Sequence, residues 1–438
     1  MARGEETSAE ADASEPSMGL AGQKVGIRVI LSDPAVRTVM LIVVVIMMGF
    51  GIIAPILPLY ARSFGVGYDA AGLLISAFAM ARLIFDLIAG PIVDRWGERL
   101  TATAGVLFLG VSSILTAKAP NFPLAVFFRG VGGAGSSVMF AAMYSYLLKV
   151  VPKDRMARTL GIFFGSFNIG FIAGGPAGGL IAQHYGLASP LLFYAALCFL
   201  TGGLYLRYLP DPNHSAQASV DALRGGEASG ARLSTWTTIK ELLAIRGFVT
   251  AIVANLAFFW VIAGAYDTLV PLFGREHLGM STVGIGAGLA ATIAGEFLVL
   301  YPAGTAADRF GRKPLMVPAL IWLAVAIAAV GWAGSPGFFI LLLGVVGFGS
   351  GSVAVSPTAI LSDVVPDGRS GTAVGVFRFC GDLGFVLGPL VAGVTASSLG
   401  FKGAFGVVAI PVLVALVFVL RTPETLRPGE AAPPRTVP

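Results

Sequence analysis

Charged side chains are scarce in this 438-residue chain. Asp, Glu, Lys and Arg together make up 12% of it, whereas hydrophobic residues make up 56%. Soluble domains carry about twice that charged fraction, because polar groups must cover their surfaces. The shortage of charge excludes a soluble globular protein and indicates a protein embedded in lipid.

Cysteines and recognisable reaction motifs are also few. The two cysteines, Cys198 and Cys380, lie in separate apolar stretches, so the sequence offers no disulfide framework and no metal-ligand spacing. No Gly-x4-Gly-Lys-Ser/Thr motif is present to bind nucleotide phosphates. We therefore expect no cofactor, no metal site and no enzymatic activity. A membrane enzyme or sensor is a poorly supported alternative, because no nucleophile–base set and no appended soluble domain can be recognised.

Apolar stretches long enough to cross a bilayer fill most of the chain. A crossing needs about 20 residues, and stretches of this length predict about twelve transmembrane helices in two sets of six. We number them spans 1 to 12: 38–60, 70–93, 101–118, 122–148, 158–183, 189–208, 247–273, 283–305, 314–333, 337–362, 370–396 and 402–421. The sequence thus predicts an all-α membrane protein.

Polar stretches divide the chain into five parts. The predicted parts are an N-terminal tail (1–36), a six-helix bundle (37–208), a linker (209–246), a second six-helix bundle (247–421) and a C-terminal tail (422–438). The acidic N-terminal stretch has no apolar run before a cleavage site, so we expect a tail and not a signal peptide. Within the linker, Trp236 to Leu243 fits a short surface helix as well as an irregular segment.

Basic residues are distributed unevenly between the two predicted faces. If the N-terminus is inside, the outer face holds only Arg62, Lys118, Arg275 and Lys402. Three more basic residues lie within spans, and all the others are on the inner side. Because positive charge accumulates in cytoplasmic loops, we predict a multi-pass protein of the plasma or inner membrane with both termini in the cytoplasm.

One motif, G-x-x-x-D-R-aromatic-G, occurs twice with identical spacing. Its defining residues are Gly90, Asp94, Arg95 and Gly97 in the first copy, and Gly304, Asp308, Arg309 and Gly311 in the second. The two copies are 214 residues apart, and several other glycines keep the same offset, as do Pro152 and Pro366. We therefore call residues 214 positions apart repeat mates. The halves are therefore parallel repeats of one six-helix unit, an organisation typical of alternating-access transporters.

These motifs resemble those of the major facilitator superfamily and, within it, the drug:proton antiporters. Span 4 has the family's arginine followed by spaced glycines, beginning at Arg129, although Gly132 stands where glutamine is usual. Span 5 resembles the antiporter motif G-x8-G-x3-G-P-x-x-G-G, with its proline displaced by one, and span 11 carries an echo of it. The motif residues are Gly161, Gly170, Gly174, Pro176, Gly178, Gly179, Gly384, Gly388 and Pro389.

The resemblance implies the major facilitator fold, with two pseudo-symmetric six-helix bundles. It also implies export of compounds in exchange for protons, as in multidrug efflux. Glycines at four-residue spacing allow close helix contacts, which we expect between the halves, although packing within a bundle is the alternative. Asp94 and Asp308 are expected to pair with arginines or cap helix N-termini and so latch the cytoplasmic side. The alternative is that the neighbouring basic residues only fix the topology.

Charged residues within spans are costly and are usually paired or functional. Span 2 contains Arg82 and Asp86, and span 11 contains Arg378 and Asp382. The resemblance places these spans side by side and antiparallel, and counting about 1.5 Å per residue brings Arg82 level with Asp382 and Asp86 level with Arg378. We predict a neutral four-charge cluster between the halves, which acts either as a clamp or as a proton relay through Asp382.

Three further charged residues are candidates for proton coupling. Glu296 in span 8 has no basic neighbour, and the repeat places it opposite Asn168, either as a proton carrier or as half of a structural pair. Asp267 in span 7 lies near the outer end and is either a binding group or a solvated helix end. Arg129 has no acidic neighbour on its own helix, and the resemblance assigns it to proton coupling.

The resemblance implies that spans 1, 4, 7 and 10 line a central cavity. Methionine and aromatic side chains there suit apolar ligands of varied shape, although such residues also serve packing. The cavity candidates are Phe50, Met139, Met143, Tyr144, Asn255, Phe258, Trp260, Tyr266, Ser352 and Ser356. We expect a monomeric exporter whose partners are a small lipophilic molecule, protons and the lipid bilayer, with no nucleic acid. The alternative is symport or uniport of a specific metabolite.

Overall fold

The computed structural model describes residues 34–151, 153–208, 235–366 and 369–426. Within these ranges nearly all of the chain is helical and no strand occurs. The helices are α1 Pro34–Ile53, α2 Leu57–Arg62, α3 Tyr68–Ala71, α4 Leu73–Trp96, α5 Glu98–Ala117, α6 Phe122–Val150, α7 Lys153–Tyr185, α8 Ser189–Tyr208, α9 Thr235–Ala244, α10 Arg246–Val261, a π-helix Ile262–Leu269, α11 Val270–Glu276, α12 Thr282–Phe310, α13 Arg312–Val330, α14 Pro336–Ala354, α15 Ser356–Val364 and α16 Ser370–Arg421.

Ten stretches of the described chain are long and apolar enough to cross a membrane. One of them, Thr372–Arg421, is interrupted at Gly400, whose φ of 69° lies outside the helical region, so α16 is two helices joined end to end. The 33-residue helix α7 adds another long element. Counted in this way, the described residues contain twelve long helical segments, and the predicted all-α fold class is confirmed.

The ends of these helices are set by local sequence. Asn121 and its repeat mate Ser335 each accept a hydrogen bond from a backbone N–H in the first turn of α6 and α14, and proline follows within that turn. Gly97 and its mate Gly311 adopt φ values of 77° and 104° between consecutive helices. Only glycine tolerates that backbone conformation readily, so both copies of the duplicated motif end in the same tight turn.

The helices form two bundles, the N-bundle (α1–α8) and the C-bundle (α10–α16 with the π-helix). We call the face at which α1 begins and α16 ends the terminal face, and the opposite face the far face. The same contact closes each bundle at the terminal face: Arg99 donates to the carbonyl of Leu206, and its mate Lys313 donates to the carbonyl of Leu420. The duplication therefore extends from the sequence to individual hydrogen bonds.

The linker segment that the sequence left undecided is a helix. Helix α9 buries Leu242 completely and leaves Trp236 73% exposed. Its Glu241 forms an ion pair with Arg369, which immediately precedes α16. The residues from 209 to 234 lie outside the described ranges.

The glycine rows of the antiporter-like motif separate into two sets. Gly170, Gly174 and Gly178 pack on α1 within their own bundle, where a side-chain Cβ on Gly174 would lie 2.7 Å from Gly51 Cα. This corrects the expectation that they join the halves, because residues four apart share one helix face and that face points into the N-bundle. In the C-bundle, Gly384 and Gly388 likewise pack on α10 and the π-helix.

The contacts between bundles come from the adjacent helix face. A Cβ on Gly179 would lie 2.7 Å from the carbonyl carbon of Thr282, and one on Gly286 would lie 2.7 Å from that of Gly175. The mates of these contacts, Tyr68–Gly393 and Gly72–Pro389, join α3 and the residue after it to α16. Two symmetry-related helix contacts therefore seal the far face, and we call them the far-face seal.

The same helices are much less buried toward the terminal face. In α4 most residues from Leu74 to Ala79 are buried, but beyond Leu83 only Ala89 and Val93 are. In α12 the residues buried beyond Thr292 are Val299, Ala303 and Ala307. Because these buried residues are four positions apart, they form one narrow strip along each helix, and this strip faces the helix's own bundle. Among the described residues, the bundles therefore meet in their far half and separate toward the terminal face.

Candidate coupling site

A cluster of four charges joins the bundles where they begin to separate. Arg82 of α4 forms an ion pair with Asp382 of α16, and Arg378 lies 3.7 Å from Asp86. These are the two pairs that the sequence predicts at equal depth in the membrane, from a rise of about 1.5 Å per residue. The Arg378 side chain is 58% exposed and that of Asp382 is 13% exposed, so the second pair lies at the open edge of the cluster.

Packing around the cluster orients both charges of α4. The Arg82 guanidinium lies 5.3 Å from the centre of the Phe385 ring, and Ser137 of α6 donates a hydrogen bond to the Asp86 carboxylate. The cluster is therefore anchored in both bundles. This arrangement suits a clamp, because each carboxylate already has a charged partner.

Arg129 occupies an aromatic cage in the interior of the N-bundle. Its guanidinium carbon lies 4.1 Å from the centre of the Phe78 ring, and Phe50 packs on both Phe78 and Tyr194 at ring-centre distances of 5.9 and 5.3 Å. The residue is only 3% exposed, and its Nε and Nη1 atoms have no hydrogen-bond partner among the described residues. A buried guanidinium with unused donors needs a carboxylate or a ligand to compensate for its lost hydration.

Asp267 of the C-bundle acts on Arg129 at longer range, without a direct ion pair. The electrostatic interaction of Arg129 with a carboxylate is with Asp267, although the two residues belong to different bundles. Asp267 is partly exposed and lies in the π-helix Ile262–Leu269, well inside the span Arg246–Glu276. This position disfavours the solvated helix end that the sequence left open. π-helical segments are rare and frequently mark functional sites.

Glu296 faces its own bundle. Its carboxylate accepts a hydrogen bond of 3.3 Å from Ser350 of α14, and it interacts electrostatically with Tyr266. This corrects the expectation that it faces Asn168, because α12 and α14 approach so closely at Gly351 that a Cβ there would lie 2.9 Å from Glu296 Cα. Tyr266 therefore interacts with the carboxylate of Glu296 in its own bundle. The next residue, Asp267, interacts with the guanidinium of Arg129 in the other bundle.

The structure corrects part of the predicted cavity lining. Met139 and Met143 are 0% and 1% exposed, and a Cβ on Gly105 of α5 would lie 2.9 Å from the Met139 backbone nitrogen, so α5 covers this face of α6. Ser356 is also completely buried. Side chains enclosed within a bundle cannot line the space between bundles.

Two of the polar cavity candidates use their hydrogen bonds for packing. Asn255 donates to the carbonyl of Phe377 at 2.8 Å, which ties α10 to α16, and Ser352 donates to Phe348 one turn earlier in its own helix. Trp260 is 9% exposed and packs against the backbone of Gly388. Of the predicted lining residues, Phe50, Tyr144 and Phe258 remain partly exposed.

Two largely buried ion pairs at the terminal face were not predicted from the sequence. Glu98 and Lys149 lie 2.6 Å apart and join α5 to α6, while their repeat mates Arg312 and Asp363 lie 3.2 Å apart and join α13 to α15. The two pairs occupy the same place with opposite polarity. The sequence does carry a signal for these pairs. Acidic Glu98 has the basic mate Arg312, and basic Lys149 has the acidic mate Asp363, so the charges of both positions are reversed together.

Removing either partner of the Glu98–Lys149 pair is expected to destabilise the protein. Their side chains are 3% and 11% exposed, and breaking a buried pair costs about 3 kcal/mol because one charge remains buried alone. Glu98→Gln and Lys149→Met should each lower the thermal unfolding temperature in detergent. The exchange Glu98→Lys/Lys149→Glu should recover part of the loss, and Lys118→Met, at an exposed site, serves as control. Unaltered unfolding of both single variants would contradict this role.

Asp308 of the second motif copy is bound within its own bundle. It lies 2.5 Å from Arg312, and its side chain is 67% exposed. The mate of Arg312 is Glu98, whose carboxylate cannot form the corresponding ion pair with Asp94. The two motif copies therefore have different surroundings, and whether either one latches the two bundles together stays a prediction.

Glu424, which follows α16, caps the N-terminus of α13. Its two carboxylate oxygens accept hydrogen bonds from the backbone nitrogens of Arg312 and Lys313 at 2.9 and 3.0 Å. A carboxylate is favourable there because the N-terminal N–H groups of a helix are otherwise unpaired. The mate of Glu424 is Pro210, which has no carboxylate, and the N-bundle instead has Glu98 at the first position of α5 without a side-chain cap there.

The Glu424 cap is expected to make stability depend on pH. Burial acts to raise the pKa of Glu424, but backbone N–H groups, among them those of Leu426 and Arg312, outweigh it and lower this pKa below its ordinary value. A lowered folded-state pKa stabilises the protein above the unfolded-state pKa, and this contribution is lost as the pH falls through the folded-state pKa. The unfolding temperature of the wild type should exceed that of Glu424→Gln at pH 7, and the difference should vanish in acid. A constant difference would contradict the cap.

Comparison with known proteins agrees with this architecture. The sequence pattern of the Major Facilitator Superfamily matches residues 39–300 and 276–437. An uncharacterised MFS-type transporter of Methanocaldococcus jannaschii is 25% identical over 386 residues, which cover 86% of this chain and 95% of that protein. The quinolone resistance protein NorA of Staphylococcus aureus is 24% identical over 349 residues, which cover 80% and 86% of the two chains.

Solved structures share the fold. A bacterial homologue of the human lysosomal transporter Spinster, in an inward-facing and occupied conformation, gives a TM-score of 0.73 at 14% identity and covers 88% of this chain and 95% of its own. The nucleoside transporter NupG, as a single-residue variant, gives 0.72 at 13% identity and covers 88% and 99%. At such low identities the likeness concerns the fold alone.

Proposed function

We propose that this chain, which belongs to the Major Facilitator Superfamily, is a secondary active transporter that exports a small lipophilic compound in exchange for protons. The observation that carries the proposal is the burial of Arg129 with unused donors in the N-bundle, together with its longer-range electrostatic interaction with Asp267 of the C-bundle. While the bundles are together, the guanidinium of Arg129 favours the charged form of Asp267, although burial opposes it. When they part, the carboxylate loses that partner and can take up a proton, which couples protonation to the conformational change.

The conformation fits one step of an alternating-access cycle. We assign the terminal face to the cytoplasm, because basic residues concentrate there, and the far face to the outside. The sealed far face and the separated terminal face then correspond to an inward-open state, ready to load a compound from the cytoplasm. Asp94 and Asp308 would latch the terminal face in the opposite state.

Glu296 is a second candidate proton carrier. Its described hydrogen-bond partner is the neutral Ser350 and its electrostatic partner is Tyr266, which belongs to the same π-helix as Asp267. A rearrangement of the π-helix would therefore reach both carboxylates at once. Asp382, in contrast, has a charged partner, so we assign the four-charge cluster to clamping.

Aromatic side chains on both bundles favour a lipophilic compound. Phe167 and Phe171 of α7 stack at 6.0 Å, and Phe385, the mate of Phe171, packs with Phe259 at 6.4 Å. All four are partly exposed, and aromatic surfaces accept apolar ligands of varied shape. NorA, a relative by sequence, is named for quinolone resistance, which supports the drug-export branch of the proposal.

The decisive experiment measures proton movement driven by the compound in proteoliposomes. Adding lipophilic compounds from a panel to the reconstituted wild type should change internal pH for at least one of them. Glu296→Gln should weaken that signal, and Asp69→Asn, which removes an exposed carboxylate outside the coupling region, serves as control. Transport without proton movement would favour symport of another ion or uniport, and a wild-type signal that persists in Glu296→Gln would remove Glu296 from the mechanism.

A further inference from the structure

One ion pair at the far face joins two repeat mates to each other. Arg62, the last residue of α2, and Glu276, the last residue of α11, are 214 positions apart, and their Nε and Oε1 atoms lie 3.6 Å apart. Two mates can touch only where the pseudo-twofold axis passes between them. The pair therefore lies on the axis that relates the bundles, at the end where they are in contact.

The charges of this axial pair make sense only if the two mates have diverged. An exact repeat would place two arginines or two glutamates on the axis, and like charges at this distance repel. Here the mates have opposite signs, so the axial contact attracts. Arg62 is also held in place by the ring of Tyr68, 4.6 Å from its guanidinium carbon, and by the carbonyl of Val66.

Basic residues are unusual at the far face, because positive charge accumulates on the cytoplasmic side of a membrane protein. Only four basic residues were expected at the far face, and two of them, Arg62 and Arg275, line the same cavity of about 560 Å³. Glu276, Gln183, Ser281 and Thr282 add polar groups to its wall. The cavity takes residues from both bundles, because it is bounded by the ends of α2, α7 and α11 and the start of α12. Its volume is that of a site for a small molecule.

From this geometry we infer that Arg62 and Glu276 form the outer gate of the transport path, and that the cavity beside them is the vestibule from which the compound leaves. The pair closes when the far ends of the bundles meet, and it must break before they part. Thr282 links gate and seal, because it lines the vestibule and donates a 2.7 Å hydrogen bond to the carbonyl of Gly179. The inference rests on the proposed function, since a gate has a role only in a transport cycle.

The ion pair of the gate can open easily, because both charged side chains are partly exposed. The two side chains are 30% and 35% exposed, and ion pairs of this kind contribute little and are screened by salt. The glycine contacts of the far-face seal supply most of the closure. The axial pair then biases the equilibrium between conformations by a small amount, which a transporter needs if it is to open on every cycle.

The test measures the opening of the far face directly and needs neither a transported compound nor a proton gradient. It can therefore fail or succeed independently of the test of the proposed function. Ser76 is 4% exposed in the sealed state and donates to Val386 of the other bundle. In a Cys198→Ser/Cys380→Ser background, Ser76→Cys reports far-face opening through its rate of labelling by an impermeant maleimide added outside. Arg62→Glu should speed labelling about two- to fivefold, since it replaces an exposed attraction by a repulsion.

Two further variants make the result specific. The exchange Arg62→Glu/Glu276→Arg should return labelling to the wild-type rate, because it restores an attractive axial pair. Arg275→Glu makes the same charge change in the same vestibule, but Arg275 binds the carbonyl of Met280 within its own bundle, so labelling should stay at the wild-type rate. An unchanged rate in Arg62→Glu, a failure of the exchange to restore it, or an equal effect of Arg275→Glu would overturn the gate.

Discussion

Arg129→Met and Asp267→Asn should each reduce proton-coupled transport at least about tenfold. Arg129 is buried with unused donors, and Asp267 is the carboxylate with which it interacts across the bundle interface. Removing either charge leaves the other without its electrostatic partner. Breaking a buried pair in direct contact costs about 3 kcal/mol, and less than half of that, about 1.4 kcal/mol, already corresponds to a factor of ten.

The measurement is compound-driven pH change in proteoliposomes, with protein amount and folding checked for each variant. If the two residues act as a unit, the double variant Arg129→Met/Asp267→Asn should be no worse than either single variant. Asp69→Asn, at an exposed aspartate of the far face, should retain transport. Losses that add in the double variant would show that Arg129 and Asp267 act independently and would remove the pair from the coupling mechanism.

Gly286→Val should displace the protein from the sealed conformation. A Cβ on Gly286 would lie 2.7 Å from the carbonyl carbon of Gly175 and 3.1 Å from Pro176 Cα, both backbone atoms of the other bundle. Backbone cannot move aside as a flexible side chain can, and overpacking of this kind costs about 1–3 kcal/mol. The population of the far-face-open state should therefore rise by about fivefold to a hundredfold.

Maleimide labelling of the Ser76→Cys reporter measures this shift too. Gly72→Val, at the mate of Gly286, should act in the same direction, because a Cβ there would lie 2.7 Å from the carbonyl carbon of Pro389. Gly165→Val, on a helix face with no heavy atom within 4 Å, is the matched control and should leave labelling unchanged. Equal labelling of the reporter protein and all three valine variants would show that the far face does not open at these glycines.

Some of the site could be read from sequence because it depends on helix register. Arg82 and Asp382 are found together, as are Asp86 and Arg378, since a helix rises by a constant amount per residue and the spans lie antiparallel. Depth in the membrane follows from counting. The direction in which a side chain points does not, and the assignments of Met139, Met143 and Glu296 failed for that reason.

The glycine rows show the same division. The motif spacing in α7 correctly indicates close packing, but Gly174 contacts Gly51 in its own bundle while the neighbouring Gly175 contacts the other bundle. The two faces are about 100° apart on one helix, and both satisfy the same four-residue pattern. The rotation of a helix about its axis is decided by all its neighbours together.

The sequence by itself determined the membrane environment, the duplication and the family, because composition, span length and repeated motifs are properties of the chain alone. Only the tertiary structure decided that Asp267 lies within electrostatic reach of Arg129, that Glu98 pairs with Lys149 and Arg312 with Asp363, and that Arg62 meets its own mate Glu276. The physical reason is that these contacts join residues far apart in sequence. Their partners are chosen by how helices rotate and tilt against each other, within a bundle and between the bundles, which no local pattern encodes.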